Sequence, residues 1–139
     1  MIIMSVDYGR ARTGIAVCDR DEVLASPVTV IKEYNMEKLA DKVADAAKER
    51  KSELIVLGLP KNMDGSEGES AENVRVFAGL LSERLDIDIV FQDERCTTVT
   101  AHEYLNITDT RGKKRKAVVD SVAAVIILED HLRRRRNGK

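Results

Sequence analysis

VDYGRARTGIAV, Val6 to Val17, decides how this chain folds. An apolar run, Ile2-Ile3-Met4, leads into it, and Asp7 stands where that run ends. Gly9, Arg10, Arg12 and Gly14 follow, and the chain turns apolar again at Ile15-Ala16-Val17. The pattern reads as a strand over Ile2–Val6, a tight turn containing Gly9, and a second strand over Thr13–Cys18. It also poses a chemical question. A carboxylate at the end of a buried strand is costly unless a cation, a set of backbone N–H groups or a metal ion compensates it.

Outward from this hairpin, the turn DRDEV leads to a third strand over Pro27–Ile31, so the first three strands form an antiparallel meander. The period then changes. Met36, Leu39, Ala40, Val43, Ala46 and Ala47 make a helical stripe over Met36–Arg50, with Asn35 as its N-cap. LIVLGL, Leu54–Leu59, is a continuous apolar run of strand length, as expected for a parallel strand covered on both faces. The loop PKNMDGSEGES, a helix carrying Ala71, Val74, Ala78, Leu81 and Leu85, and a strand over Ile87–Phe91 come next. After DERCTT, a short helix is expected over Val99–Leu105, then a polar, basic connection over Asn106–Lys116, then a last helix over Ala117–Arg134. The expected class is α/β: a mixed five-stranded sheet, three antiparallel strands then two parallel ones, with helices on both faces. Ligands collect at the carboxyl ends of the parallel strands in such sheets.

The 139 residues fit one domain, residues 1–139. With 43% hydrophobic and 34% charged residues the chain is globular rather than disordered. No apolar run approaches the roughly 20 residues that span a bilayer. The start MIIMSVD has neither a basic n-region nor a cleavage site, so the expected location is the cytoplasm, with no membrane partner and with Cys18 and Cys96 reduced. The net charge of −1 hides an asymmetry. Arg111–Lys139 holds ten lysines and arginines against Asp120, Glu129 and Asp130, while the first 110 residues carry the opposing acidic excess. A segregated basic end suits a directed contact with phosphates, and equally a solvated helix end with a loose tail.

Three acids stand out against apolar surroundings: Asp7, Glu94 in FQDER, and Asp120, the one charge in VVDSVAAVIIL. Brought to one edge they would repel each other and call for hard cations, Mg²⁺ or Mn²⁺. Two such ions can stabilise both the attacking and the leaving oxygen of an in-line phosphoryl displacement, which is the design of a phosphodiesterase. Each acid also has a plainer reading. Asp7 can bond its own turn, Glu94 can pair with Arg95 or Arg10, and Asp120 can be a first-turn acid favoured by the helix dipole. Arg10, Arg12, Lys61, Arg95, Arg111, Lys113, Lys114, Arg115 and Lys116 fall in segments expected near the same edge, where they would hold phosphates without reading bases. Arg133–Arg136 reads as a solvated tail. His102 and His131 lack metal-ligand spacing. With 4% aromatic residues and no Trp, a base-stacking platform is not expected; Tyr8 reads as a packing residue, with stacking on a base next to the metals as its other reading.

DYGRARTGIAV, VLGLPKNMDGSEG, DERCTT with Ala101 after it, and KRKAVVDSVAAVIILEDHL together resemble the YqgF family, also called RuvX, pre-16S rRNA nucleases related to Holliday junction resolvases. The resemblance runs nearly end to end. It implies a ribonuclease H-like fold and a divalent-metal nuclease, using Mg²⁺ or Mn²⁺, that trims the 5′ end of the 16S rRNA precursor in the bacterial cytoplasm. Asp7 matches the family's first-strand aspartate, Glu94 the glutamate of its DER motif, and Asp120 its final-helix aspartate; these would be both catalytic and metal-binding. Asp93 is a further acid in the DER motif. Cys96 stands where the family more often has Leu, and Gly58-Leu59-Pro60 lacks the acid that relatives of this fold carry at the end of the fourth strand. Precursor rRNA, branched DNA and the ribosome are the implied partners, with the chain as a monomer or a homodimer. A Holliday junction resolvase-like DNA endonuclease is the close alternative, and two other classes stand beside the nuclease: a non-catalytic RNA-binding assembly factor, and an actin-like kinase, which would need two such domains where this chain supplies one.

Overall fold

The structure, a computed structural model, describes residues 1–60, 64, 66–93 and 112–137, with the backbone alone at 112–121 and 137. Five strands and three helices are described: β1 (Ile3–Asp7), β2 (Arg12–Cys18), β3 (Ala25–Lys32), α1 (Met36–Glu49), β4 (Leu54–Leu59), α2 (Glu69–Arg84), β5 (Asp88–Asp93) and α3 (Gly112–Asn137). The expected short helix over Val99–Leu105 lies outside the described residues.

The sheet order is β3-β2-β1-β4-β5. β1 pairs antiparallel with β2, with Asp7 opposite Gly14, and β2 pairs antiparallel with β3. β1 runs parallel to β4, with Val6 opposite Leu57, and β4 runs parallel to β5, with Leu59 opposite Asp93. This is the mixed sheet expected from the sequence. Pro27 is tolerated because it lies on the edge strand β3, beside a register shift at Ile15/Ala16 that leaves room for its missing N–H.

Each face of the sheet has its own core. On one face Met4, Val6, Ile15, Ile55 and Leu57 meet Leu39 and Val43 of α1 and Val74, Phe77 and Leu81 of α2. On the other, Ile3, Ala16, Cys18, Leu54 and Val56 meet Ala124, Ile127, Leu128 and Leu132 of α3. β4 is buried along its whole length because both faces are covered, which accounts for its unbroken apolar run. Asn35 caps α1 by accepting a hydrogen bond from the Lys38 N–H at 2.9 Å. The Arg84 guanidinium ties α2 to α1 through Asp41 at 2.6 Å.

The last helix departs from expectation at both ends. It begins at Gly112, not Ala117, so Lys113–Lys116 are helical rather than part of a loose connection. Lysine and arginine are strong helix formers, and a helix anchored by a buried body extends upstream at little cost. Asp120 is consequently the ninth residue of α3, beyond the reach of the N-terminal dipole, and its reading as a first-turn acid is withdrawn. At the other end Arg133–Arg136 belong to the helix rather than to a tail. Arg133 and Arg134 pair with Asp130, and Arg135 pairs with Glu22 at 2.6 Å.

Candidate active site at the carboxyl edge of the sheet

β1, β4 and β5 run parallel, so their carboxyl ends share one edge. Side chains alternate along a strand. Met4 and Val6 belong to the core under α1 and α2, whereas Ile3 belongs to the core under α3. Ser5, fully buried, donates its hydroxyl to the Ala124 carbonyl of α3 at 2.6 Å. Asp7, next but one, therefore stands on the α3 face at the very end of β1.

The direction of α3 follows from its two ends. Arg135 binds Glu22 in the link between β2 and β3. That link follows Cys18, whose sulfur accepts the Ile3 N–H at the start of β1. α3 thus runs from the carboxyl edge towards the amino edge, against β1. Position 120 is one turn N-terminal of Ala124, about 6 Å back towards the carboxyl edge. Asp7 lies two residues past Ser5, about 6.6 Å in that same direction. Counted from the Ser5–Ala124 bond, positions 7 and 120 lie a similar distance along their own elements towards the carboxyl edge. The Ser5 bond to Ala124 sets this register. Sequence reading missed it, although a lone serine in the apolar run IIMSV was its signal.

The turn after Asp7 is shaped by close backbone approach. A Cβ on Gly9 would lie 2.0 Å from the Arg12 carbonyl oxygen, so only glycine fits. The Thr13 hydroxyl closes the turn, accepting the Gly9 N–H and donating to the Gly9 carbonyl, both at 3.3 Å. Tyr8 faces the other core, its ring 5.0 Å from that of Phe77. Burial pushes its phenol pKa up, with the nearby Arg10 charge pulling the other way. This is the packing role expected for it. Arg10 is exposed, and Arg12 is half-buried with a buried Nη1 that has no hydrogen-bond partner among the described residues. Such a donor is costly to leave unmade unless an acceptor arrives from outside.

Asp93 ends β5 at the same edge but on the opposite face. Its neighbour Gln92 donates to Asp130 of α3 at 2.5 Å, so alternation turns Asp93 towards the α2 side. Lys61, Glu94, Arg95 and Arg111 lie outside the described residues, as do the side chains of Lys113, Lys114, Arg115, Lys116 and Asp120. Among the described residues no three His, Cys, Asp or Glu side chains form a metal-binding group. Cys18 is a buried core thiol whose pKa is raised by burial, and Cys96 lies outside the described residues. No described helix is long and apolar enough to cross a membrane.

The family described as "RuvX: Holliday junction resolvase" matches residues 1–134. This chain belongs to the RuvX family. A protein of Endomicrobium trichonymphae named "Putative pre-16S rRNA nuclease" is 43% identical over 131 residues, 94% of each chain. One of the same name from Clostridium botulinum is 40% identical over 134 residues, 96% of this chain and 98% of its own. Among solved structures, Thermus thermophilus RuvC in complex with a Holliday junction substrate superposes with a TM-score of 0.64 at 12% identity, covering 99% of this chain and 96% of its own. The fowlpox virus Holliday junction resolvase gives 0.55 at 13% identity, covering 96% and 99%. The RuvX-family chain has the ribonuclease H-like fold of these resolvases.

Proposed function

We propose that this RuvX-family protein is a divalent-metal-dependent nuclease that hydrolyses phosphodiester bonds in RNA, and that its substrate is the 5′ end of precursor 16S rRNA in the cytoplasm. Nuclease activity is supported by family membership, by the fold and by the names of relatives that match nearly end to end. The observation that carries the site is the register set by Ser5 on Ala124, which supports a meeting of Asp7 with Asp120 at the carboxyl edge.

Asp7, Asp120 and Glu94 would hold Mg²⁺ or Mn²⁺, since carboxylate oxygens are the donors such hard cations take. When bound, the metal supplies an activated water and neutralises charge on the leaving oxygen. Asp7, fixed at the end of a buried strand, orients that centre. Arg10, Lys61 and Arg95 would hold the phosphate backbone. Arg12 offers its buried Nη1 to a phosphate oxygen, and Arg111 with Lys113, Lys114, Arg115 and Lys116 extends the basic track to a ribosome-bound or free precursor.

The test is a cleavage assay with purified protein, Mn²⁺ and an end-labelled precursor fragment. Cleavage that disappears in Asp7→Asn supports the reading; cleavage that persists in that variant, or none from the wild type, removes it. The family description favours a second reading, a DNA-junction resolvase. Such an enzyme needs two active sites, so a stable homodimer cutting a four-way junction faster than the rRNA fragment would select it.

A further inference from the structure

The edge that carries Asp7 on its α3 face has a second feature on the other face. A cleft of about 310 Å³ opens between the Tyr8–Arg10 turn and the first turns of α2. Its floor is apolar: Tyr8 is half-buried against Phe77, and Val74 is buried. Its rim is polar, formed by Arg10, Glu69, Ser70 and Asn73, all exposed. None of these four side chains makes a hydrogen bond or ion pair among the described residues, while Glu67 and Arg75 close by are engaged with each other at 2.8 Å.

Resting on the nuclease reading above, we infer that this cleft receives one unpaired nucleotide of the substrate strand, on the opposite face of the end of β1 from Asp7. Asp7 and Tyr8 are consecutive, with Cα atoms about 3.8 Å apart and side chains on opposite faces. A strand crossing the end of β1 presents a phosphate to one face and the neighbouring base and sugar to the other. The rim chemistry fits that occupant. Arg10 suits a phosphate oxygen. Glu69 can only accept, so it repels a phosphate and takes a ribose hydroxyl or an exocyclic amine. Asn73 and Ser70 both donate and accept, as the edge of a base requires. The volume lies at the small end of ligand pockets, suited to one nucleotide rather than a duplex. A paired base has its hydrogen-bonding edge occupied, so the cleft selects single strands.

The experiment is a fluorescence-anisotropy titration of the full chain in EDTA, so that no strand is cut. The probes are a labelled single-stranded RNA hexamer and the same hexamer annealed to its complement. Ser70→Ala/Asn73→Ala removes two rim groups at exposed helical positions where alanine is favoured. It is expected to weaken single-strand binding roughly tenfold and leave duplex binding unchanged. Asn73→Trp, which fills the cleft, should do the same, and the Asn73 side-chain amide resonance should shift as the wild type binds the hexamer. Unchanged single-strand affinity in both variants, an equal loss for both probes, or no binding by the wild type overturns the inference. Failure of the nuclease reading shows elsewhere, as cleavage indifferent to Asp7→Asn, and does not alter this titration.

Discussion

The two ends of the sheet treat charge in opposite ways. At the amino edge, Glu22 receives the Arg135 guanidinium at 2.6 Å and the Met1 amino group at 3.1 Å, and its pKa is pulled down to about 2, chiefly by the Arg135 hydrogen bond. Glu22 holds this place in a left-handed backbone conformation, φ 57°. At the carboxyl edge, neither Arg10 nor the buried Nη1 of Arg12 has a hydrogen-bond or ion-pair partner among the described residues. One end uses its charges to close the fold: a link between strands is pinned to the last turns of α3. The other end holds cationic groups in reserve on a rigid turn.

This contrast predicts that substitutions at the carboxyl edge change activity, some with a stability cost, whereas those at the amino edge change stability alone. The largest effect belongs to Asp7→Asn, expected to lower the cleavage rate by about 10³-fold or more, read in single-turnover assays. Gly9→Ala comes next. Its methyl meets the Arg12 carbonyl at 2.0 Å, so the turn must shift. A loss of about 2–4 kcal/mol in urea unfolding is expected, with a fall in RNA affinity as Arg10 and Arg12 move. Ser5→Ala leaves the buried Ala124 carbonyl without its hydroxyl partner, at about 1–2 kcal/mol. If Asp120 meets Asp7 as proposed, it should also reduce cleavage by loosening the register between β1 and α3; full activity with that stability loss would break that part of the proposal.

The smallest expected effect is at the amino edge and carries a pH signature. Arg135→Ala should cost about 1 kcal/mol at neutral pH, partly screened by solvent, and leave the single-turnover rate unchanged. Glu22 has a folded pKa of about 2, below its ordinary 4.5, so its contribution is complete above about pH 4.5 and fades as the pH falls towards 2. Wild type and variant should therefore differ at pH 7 and converge only as the pH falls through about 2. A gap that stays constant across that range would show that the pair acts through packing instead.

Much of this fold was legible along the chain because its signals are local. The switch from alternating to helical periodicity, the Asn35 cap and the LIVLGL run each report a short-range constraint that the structure keeps. The motif after β1 was readable for the same reason, since the Gly9 turn is imposed by backbone contact within four residues. The start of α3 was not legible. Lys113–Lys116 carry no hydrophobic period, and their helical state comes from continuity with a body buried elsewhere.

Residue types and order by themselves determined the sheet, the candidate acids and the kinship with RuvX proteins. Only the tertiary structure decided what meets what. Ser5 is 119 residues from Ala124 and Glu22 is 113 from Arg135. No periodicity encodes contacts at such separations, because they form only when two sheet faces are covered by helices whose tilt and register are fixed by packing. The same packing puts Asp7 and Asp93 on opposite faces of one edge, a distinction that turns on alternation counted from buried neighbours.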